Sequence, residues 1–259
     1  INPVGAFTLI SGLILTLTGV TLLDRLRQAS IGFTTMLGAY LSFVYWQLLV
    51  NQGTSYAHAS WFVLGYWILC TAVILKQRGL SKPFFSETQL LTYTSLNNSL
   101  FIFLTSINFA TLHFHTSVWL NIATIGGVFI LISLYLQRRK ENSSLPSSLA
   151  NLYLGKGFAL IALALCIKLS GSSLAISLTI QASLALIAGT LSGRKLLLTA
   201  GYLALMLGFG IYLFYLNDAT AIRHSIMLTL YLGIATFLHL KPQRELQEFN
   251  VLASLASLF

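Results

Sequence analysis

Of the 259 residues, 56% are hydrophobic and only 8% are charged, against roughly 25% charged residues in an ordinary soluble domain. A polar skin around one core cannot be assembled from that composition, which excludes a water-soluble enzyme or binding domain. The formal net charge of +9 would suit nucleic acid, but the Lys and Arg residues fall in short segments between apolar runs and build no basic face, which argues against that partner.

Apolar runs of the length that crosses a bilayer, about 20 residues, recur from end to end. In chain order they are 3–23, 31–50, 59–75, 90–110, 118–137, 152–169, 172–191, 196–216 and 225–240, with a tenth beginning near Phe249. The runs are continuous, whereas strands of a membrane barrel would alternate apolar and polar residues, so helices are predicted. The expected fold class is all-α: a polytopic transmembrane helical bundle forming one domain over 1–259. Turn chemistry punctuates the runs at Gly79, Pro83, Pro146, Gly171, Gly193 and Pro242. A start at Ile1 and a close on the short apolar stretch 251–259 read as a fragment of a longer chain.

Orientation is read from the cations, because Lys and Arg in short loops stay on the cytoplasmic side. The odd-numbered loops hold Arg25, Arg27, Lys76, Arg78, Lys82, Arg138, Arg139, Lys140, Arg194, Lys195, Lys241 and Arg244, twelve in all. The even-numbered loops hold only Lys168 and Arg223. Lys156 is read near the start of the sixth span, where its stem can snorkel to the surface. The expectation is a bacterial inner (plasma) membrane protein whose first residue is periplasmic.

Helices in lipid meet through small side chains. The seventh span carries Ser173, Ser177, Gln181, Ala185, Gly189 and Gly193 at four-residue spacing, and the eighth carries Ala200, Ala204 and Gly208. These are the predicted packing residues, and spans six to eight are expected to form a tight three-helix unit. Over 152–216 the chain also resembles a domain-of-unknown-function family of large bacterial predicted membrane proteins. The likeness lies in Ser177-Leu178-Thr179-Ile180-Gln181-Ala182 and in Gly193-Arg194-Lys195-Leu196. It implies serial transmembrane helices and no established activity. That family carries tryptophan where Leu178 stands and glutamate where Gln181 stands, so a protonatable role at Gln181 does not carry over.

All six carboxylates, Asp24, Glu87, Glu141, Asp218, Glu245 and Glu248, are read in loops, with no ionisable group at mid-span. A buried charge would mark a functional site by default; its absence weighs against a proton-coupled carrier. Asn97, Asn98, Asn121 and Gln181 do lie at depth. They are read as interhelical hydrogen-bonding groups, or else as a polar pathway for a substrate headgroup. His58, His113, His115 and His224 share the expected periplasmic layer with Asp218 and could hold Zn or Cu; tolerance of histidine at the interface is the plainer reading. Tyr56, Trp61, Trp67, Trp119, Tyr153, Tyr202, Tyr212 and Tyr215 are read as headgroup anchors, and Cys70 and Cys166 as small core residues.

No nucleotide loop, nucleophile elbow or zinc-protease motif occurs. The functional expectation is a non-catalytic scaffold or transport-associated component of the cell envelope, with no cofactor. Its expected partners are membrane lipids and other membrane subunits. Alternatives are a transporter or flippase for a lipid-linked or small apolar substrate, and a membrane glycosyl or acyl transferase using Asp218 and a periplasmic histidine.

Overall fold

The computed structural model describes residues 3–50, 59–77, 83–111, 118–138, 147–192, 195–215 and 220–240. Among these residues all extended regular structure is helical and there is no strand. The helices are α1 (Pro3–Leu26), α2 (Ala29–Tyr45), α3 (Ala59–Lys76), α4 (Glu87–Thr111), α5 (Val118–Arg138), α6 (Ser147–Lys168), α7 (Gly171–Ser192), α8 (Lys195–Phe214) and α9 (Ala221–Leu240). Each of the nine apolar runs therefore coincides with a helix, while the tenth, near Phe249, lies outside the described residues. Among the described residues six helices, α1, α3, α5, α6, α7 and α8, are long and apolar enough to cross a membrane. Their outward faces carry exposed Leu, Ile and Phe residues, such as Leu15, Leu131 and Leu207, the surface that a hydrocarbon solvent requires and water does not tolerate over so wide an area.

The helices differ from the apolar runs mainly at their ends, where polar chemistry continues the backbone pattern. α4 begins at Glu87 because Ser86 and Gln89 form a reciprocal capping box. The Gln89 amide N–H donates to Ser86 Oγ at 3.3 Å, and the Ser86 N–H donates to Gln89 Oε1 at 3.0 Å. Glu87 thus starts a helix, where its charge suits the dipole, and Asp24 lies in the last turn of α1; neither is in a loop. Lys156 is corrected likewise: α6 starts at Ser147, so this cation sits at the tenth of its 22 residues, mid-helix and not near a span end. α1 passes to α2 through Arg27 and Gln28 alone. Arg27 takes a left-handed φ of 54° while its N–H closes the helix on Leu23 O at 2.8 Å. α2 ends in a π-helical turn, Trp46–Val50.

The chain divides into two compact units, residues 1–154 and 155–259. In the first, α1 packs on α2, and α3 packs on α1 and α4. Close approach is set by Gly19 against Thr35 and by Gly12 against Tyr66 and Ser42. The Tyr66 hydroxyl donates to Leu9 O at 3.1 Å. Helix ends meet in pairs: Lys76 with Asp24 at 2.6 Å, Ser148 with Glu87 at 2.7 Å, and Asn108 with Ser60 at 2.5 Å. The first two pairs join the end of α3 to the end of α1 and the start of α6 to the start of α4; the third joins the end of α4 to the start of α3. Both ends of the α3–α4 connection are held by the buried Gln77. Its Nε2 donates to Phe85 O, and its Oε1 accepts from the Phe85 N–H, each at 3.1 Å.

In the second unit the main seam lies between α7 and α8, and α9 covers it. Its core joins Ala175, Ala182 and Leu186 of α7 to Leu198, Tyr202 and Leu205 of α8 and to Met227, Tyr231 and Ile234 of α9. Gly171 turns the chain from α6 into α7 with a φ of 58°, a conformation that suits glycine, and at the far end of α8 the Tyr215 N–H returns to Ile211 O at 3.2 Å.

Candidate functional site

Adjacent residues on a helix point about 100° apart, and α4 uses that divergence to tie two neighbours at once. Asn97 and Asn98 are both 0% exposed. Asn97 Oδ1 accepts from the Tyr40 hydroxyl of α2 at 2.7 Å, and its Nδ2 donates to Thr71 Oγ1 of α3 at 3.2 Å. Asn98 Oδ1 accepts from Trp67 Nε1 of α3 at 2.8 Å. The Tyr153 hydroxyl, from the first turns of α6, is buried beside Asn98 and Thr71 but makes no hydrogen bond, and neither does Asn98 Nδ2; Cys70 pairs with Tyr93. The result is a buried cluster of neutral donors and acceptors in which Tyr40, Tyr93 and Tyr153 are as buried as the amides. Every cluster member named here is uncharged, and its hydrogen bonds join α4 to α2 and α3.

Trp67 forms the boundary between this cluster and a cleft of about 420 Å³ walled by α3, α4 and α5. Its ring stacks with Phe101 at 5.0 Å and with Phe129 at 6.1 Å between centroids. Ser60, Thr105, Asn121 and Thr124 supply the polar atoms of the wall. Trp61, 67% exposed, and Val128, 39% exposed, stand at the rim. A second apolar cleft, about 240 Å³, lies between α2 with its π-helical turn and α4, bounded by Phe43, Gln47, Leu104 and Asn108. The Asn108–Ser60 bond therefore runs from the wall of one cleft to the wall of the other.

The four amides of the expected polar pathway do not form a single line. Asn97 and Asn98 share the buried cluster; Asn121 stands apart from it on the cleft wall, with a buried Nδ2 that finds no acceptor in the protein. Gln181 belongs to the other unit, where its Nε2 donates to Phe158 O of α6 at 2.5 Å. It acts there as an interhelical tie.

The expected packing residues are distributed across the α7–α8 seam and its margins. Gly189 meets Leu198, and Gly208 meets Thr179 and Ala175 O; Ala185 and Gln181 are buried, whereas Ser173, Ser177, Ala200 and Ala204 are half-buried. A four-residue repeat advances 400° and drifts about 40° per step around a helix with 3.6 residues per turn. The true seam instead alternates three and four residues, through Ala175, Thr179, Ala182, Leu186 and Gly189. The third helix of this unit's core is α9, where α6 was expected.

His58, His113, His115 and Asp218 lie outside the described residues. His224 pairs through Nδ1 with the Tyr212 hydroxyl, and the neighbouring Arg223 donates to Ser172 Oγ at 2.6 Å. Among the described residues no group of three His, Cys, Asp or Glu side chains could hold a metal ion. The aromatic anchors divide. Trp61 and Tyr215 are exposed, but Trp67, Tyr153 and Tyr202 are core residues. Cys70 is buried as expected, and Cys166 is exposed. Tyr40, Thr71 and Tyr93 complete the polar cluster yet were not singled out by sequence; the only available signal was a hydroxyl within an apolar run. No known family, curated protein or solved structure matches this chain.

Proposed function

We propose that the chain is a multi-pass protein of a bacterial inner membrane, crossing it nine times with the end carrying residue 1 outside. We further propose that it serves as a non-catalytic structural module of the cell envelope, a scaffold or transport-associated component. The observation that carries the functional half is the buried polar cluster, where Asn97 and Asn98 are wholly buried and bonded to Tyr40, Thr71 and Trp67. Amides lining a solute path would face a cavity. These face one another's helices, and their work is to fix register where the hydrophobic effect supplies no force between helices.

The orientation is supported by the twelve-to-two division of cations between alternate loops. It is also supported by helix-end pairs, since Asp24 with Lys76 and Glu87 with Ser148 join only ends that the alternation assigns to the same side. A second reading, passage of a small apolar or lipid-linked substrate, draws support from the cleft beside Asn121.

Topology is tested in a background lacking Cys70 and Cys166, with single cysteines at Ser81, Ser143 and Ser55 labelled in intact spheroplasts by a membrane-impermeant maleimide. Labelling at Ser55 alone is expected; labelling at Ser143 would overturn the orientation. The scaffold role is tested by affinity purification in mild detergent from native membranes. A defined membrane-protein partner is expected to follow the wild type and to be lost on breaking the cluster with Asn97→Leu, while recovery of the intact protein with no stoichiometric partner would overturn it.

A further inference from the structure

The cleft on α3, α4 and α5 has a chemistry graded along the helix axes. Ser60 and Asn121 lie within the first four residues of α3 and α5, and Thr105 lies near the closing end of α4. Trp67, Phe101 and Phe129 form the floor two turns deeper. From Asn121 to Phe129 the helical rise is about 12 Å. A cleft of about 420 Å³ with that length has room for a hydrocarbon chain laid along the helices.

We infer that this cleft is a binding site for one acyl chain of a membrane glycerophospholipid, seated with its carbonyl region at Asn121 and its tail against Trp67. The inference rests on the membrane reading above, because in a bilayer the medium that reaches the rim at Trp61 and Val128 is itself made of acyl chains. The polar end of the cleft lies at helix termini, the depth at which a lipid carries its ester carbonyls. Asn121 holds an amide nitrogen without an acceptor in the protein, and turning that amide toward the cleft gives it an ester oxygen to bond. The floor is aromatic, and its large flat rings suit methylene groups. The site differs from ordinary lipid contact in that the tail enters between helices instead of lying along them.

The test uses the full chain reconstituted in phosphatidylcholine vesicles, with and without bromine near the middle of the acyl chains. Two single-tryptophan variants are compared, one keeping Trp67 and one keeping Trp61, the other tryptophans being replaced by phenylalanine. Trp61 faces the surrounding lipid on this reading, whereas Trp67 is 7% exposed and sits on the cleft floor, so bromine reaches it only through an inserted tail. Quenching of Trp67 at least about half as strong as that of Trp61 is expected. Quenching of Trp61 without Trp67 overturns the lipid site alone; absence of both overturns the membrane reading with it. Should the Trp67 variant fail to fold, native mass spectrometry of the wild type decides. One retained phospholipid is expected, to be lost when the rim positions Thr124→Trp and Val128→Phe fill the cleft, and equal retention by both proteins overturns the site.

Discussion

Adding a single methyl group at Gly201 tests the α7–α8 seam most directly. A Cβ built there comes within 2.7 Å of Leu186 Cγ and 3.1 Å of the Leu186 backbone nitrogen. The Cγ carries both methyls of that leucine and the nitrogen belongs to α7, so relief requires the two helices to separate. Gly210, about two and a half turns along the same helix, has nothing within 4 Å of its Cβ position. Alanine improves helix propensity at either site by about 0.8–1.0 kcal/mol, and overpacking costs about 1–3 kcal/mol. The propensity gain cancels between Gly201→Ala and Gly210→Ala, which leaves Gly201→Ala less stable by about 1–3 kcal/mol. A denaturing-detergent titration in mixed micelles, with limited proteolysis reporting the folded fraction at each point, measures the difference. If Gly201→Ala proves equal to or more stable than Gly210→Ala, the seam is not closely packed and the account of this unit is wrong.

The remaining expectations use the same titration unless stated. Tyr40→Phe leaves Asn97 Oδ1 short of a buried donor and should cost about 0.6 kcal/mol and at most about 1.7, the mean and maximum for interhelical hydrogen bonds in a membrane; no loss would mean the cluster is not bonded as described. Ser86→Ala removes half of the capping box and should cost about 0.5–2 kcal/mol. Breaking the exposed Asp24–Lys76 pair with Asp24→Asn should change stability by less than about 1 kcal/mol, and a larger loss would show that the pair is more than a surface contact. Lys156→Leu, which removes a cation from the middle of α6, should favour insertion of that helix by up to about 2.5–3.5 kcal/mol in a glycosylation-mapping assay.

Helix existence was legible because each span is a long run with one composition, and composition alone decides whether a segment prefers hydrocarbon. Helix ends were less so, since residues such as Ser86 and Glu87 are polar yet helical, and their inclusion depends on capping geometry that apolar runs do not record. The displacement of Lys156 from span end to mid-helix follows from that same blind spot at Ser147. Asn97 and Asn98 could be picked out as polar groups at depth, but their partners could not. Tyr40, Trp67 and Tyr153 look like any membrane aromatic until their neighbours on other helices are known. The cleft was not legible as a cavity: Asn121, Trp61 and Trp67 of its lining stand out in the sequence, but a gap between helices is a property of how three of them lean, written in no single one.

The clamp at Gln77 has a practical consequence for anyone who wishes to engineer this molecule. One glutamine side chain grips the backbone at Phe85 as a neighbouring strand would, so the chain leaves α3 and comes back to α4 through a fixed gate. The free-energy cost of closing a longer loop grows only with the logarithm of its length. Foreign sequence inserted after Arg78 should therefore leave the helices on either side undisturbed, making this hairpin the natural place to graft a reporter or a purification handle.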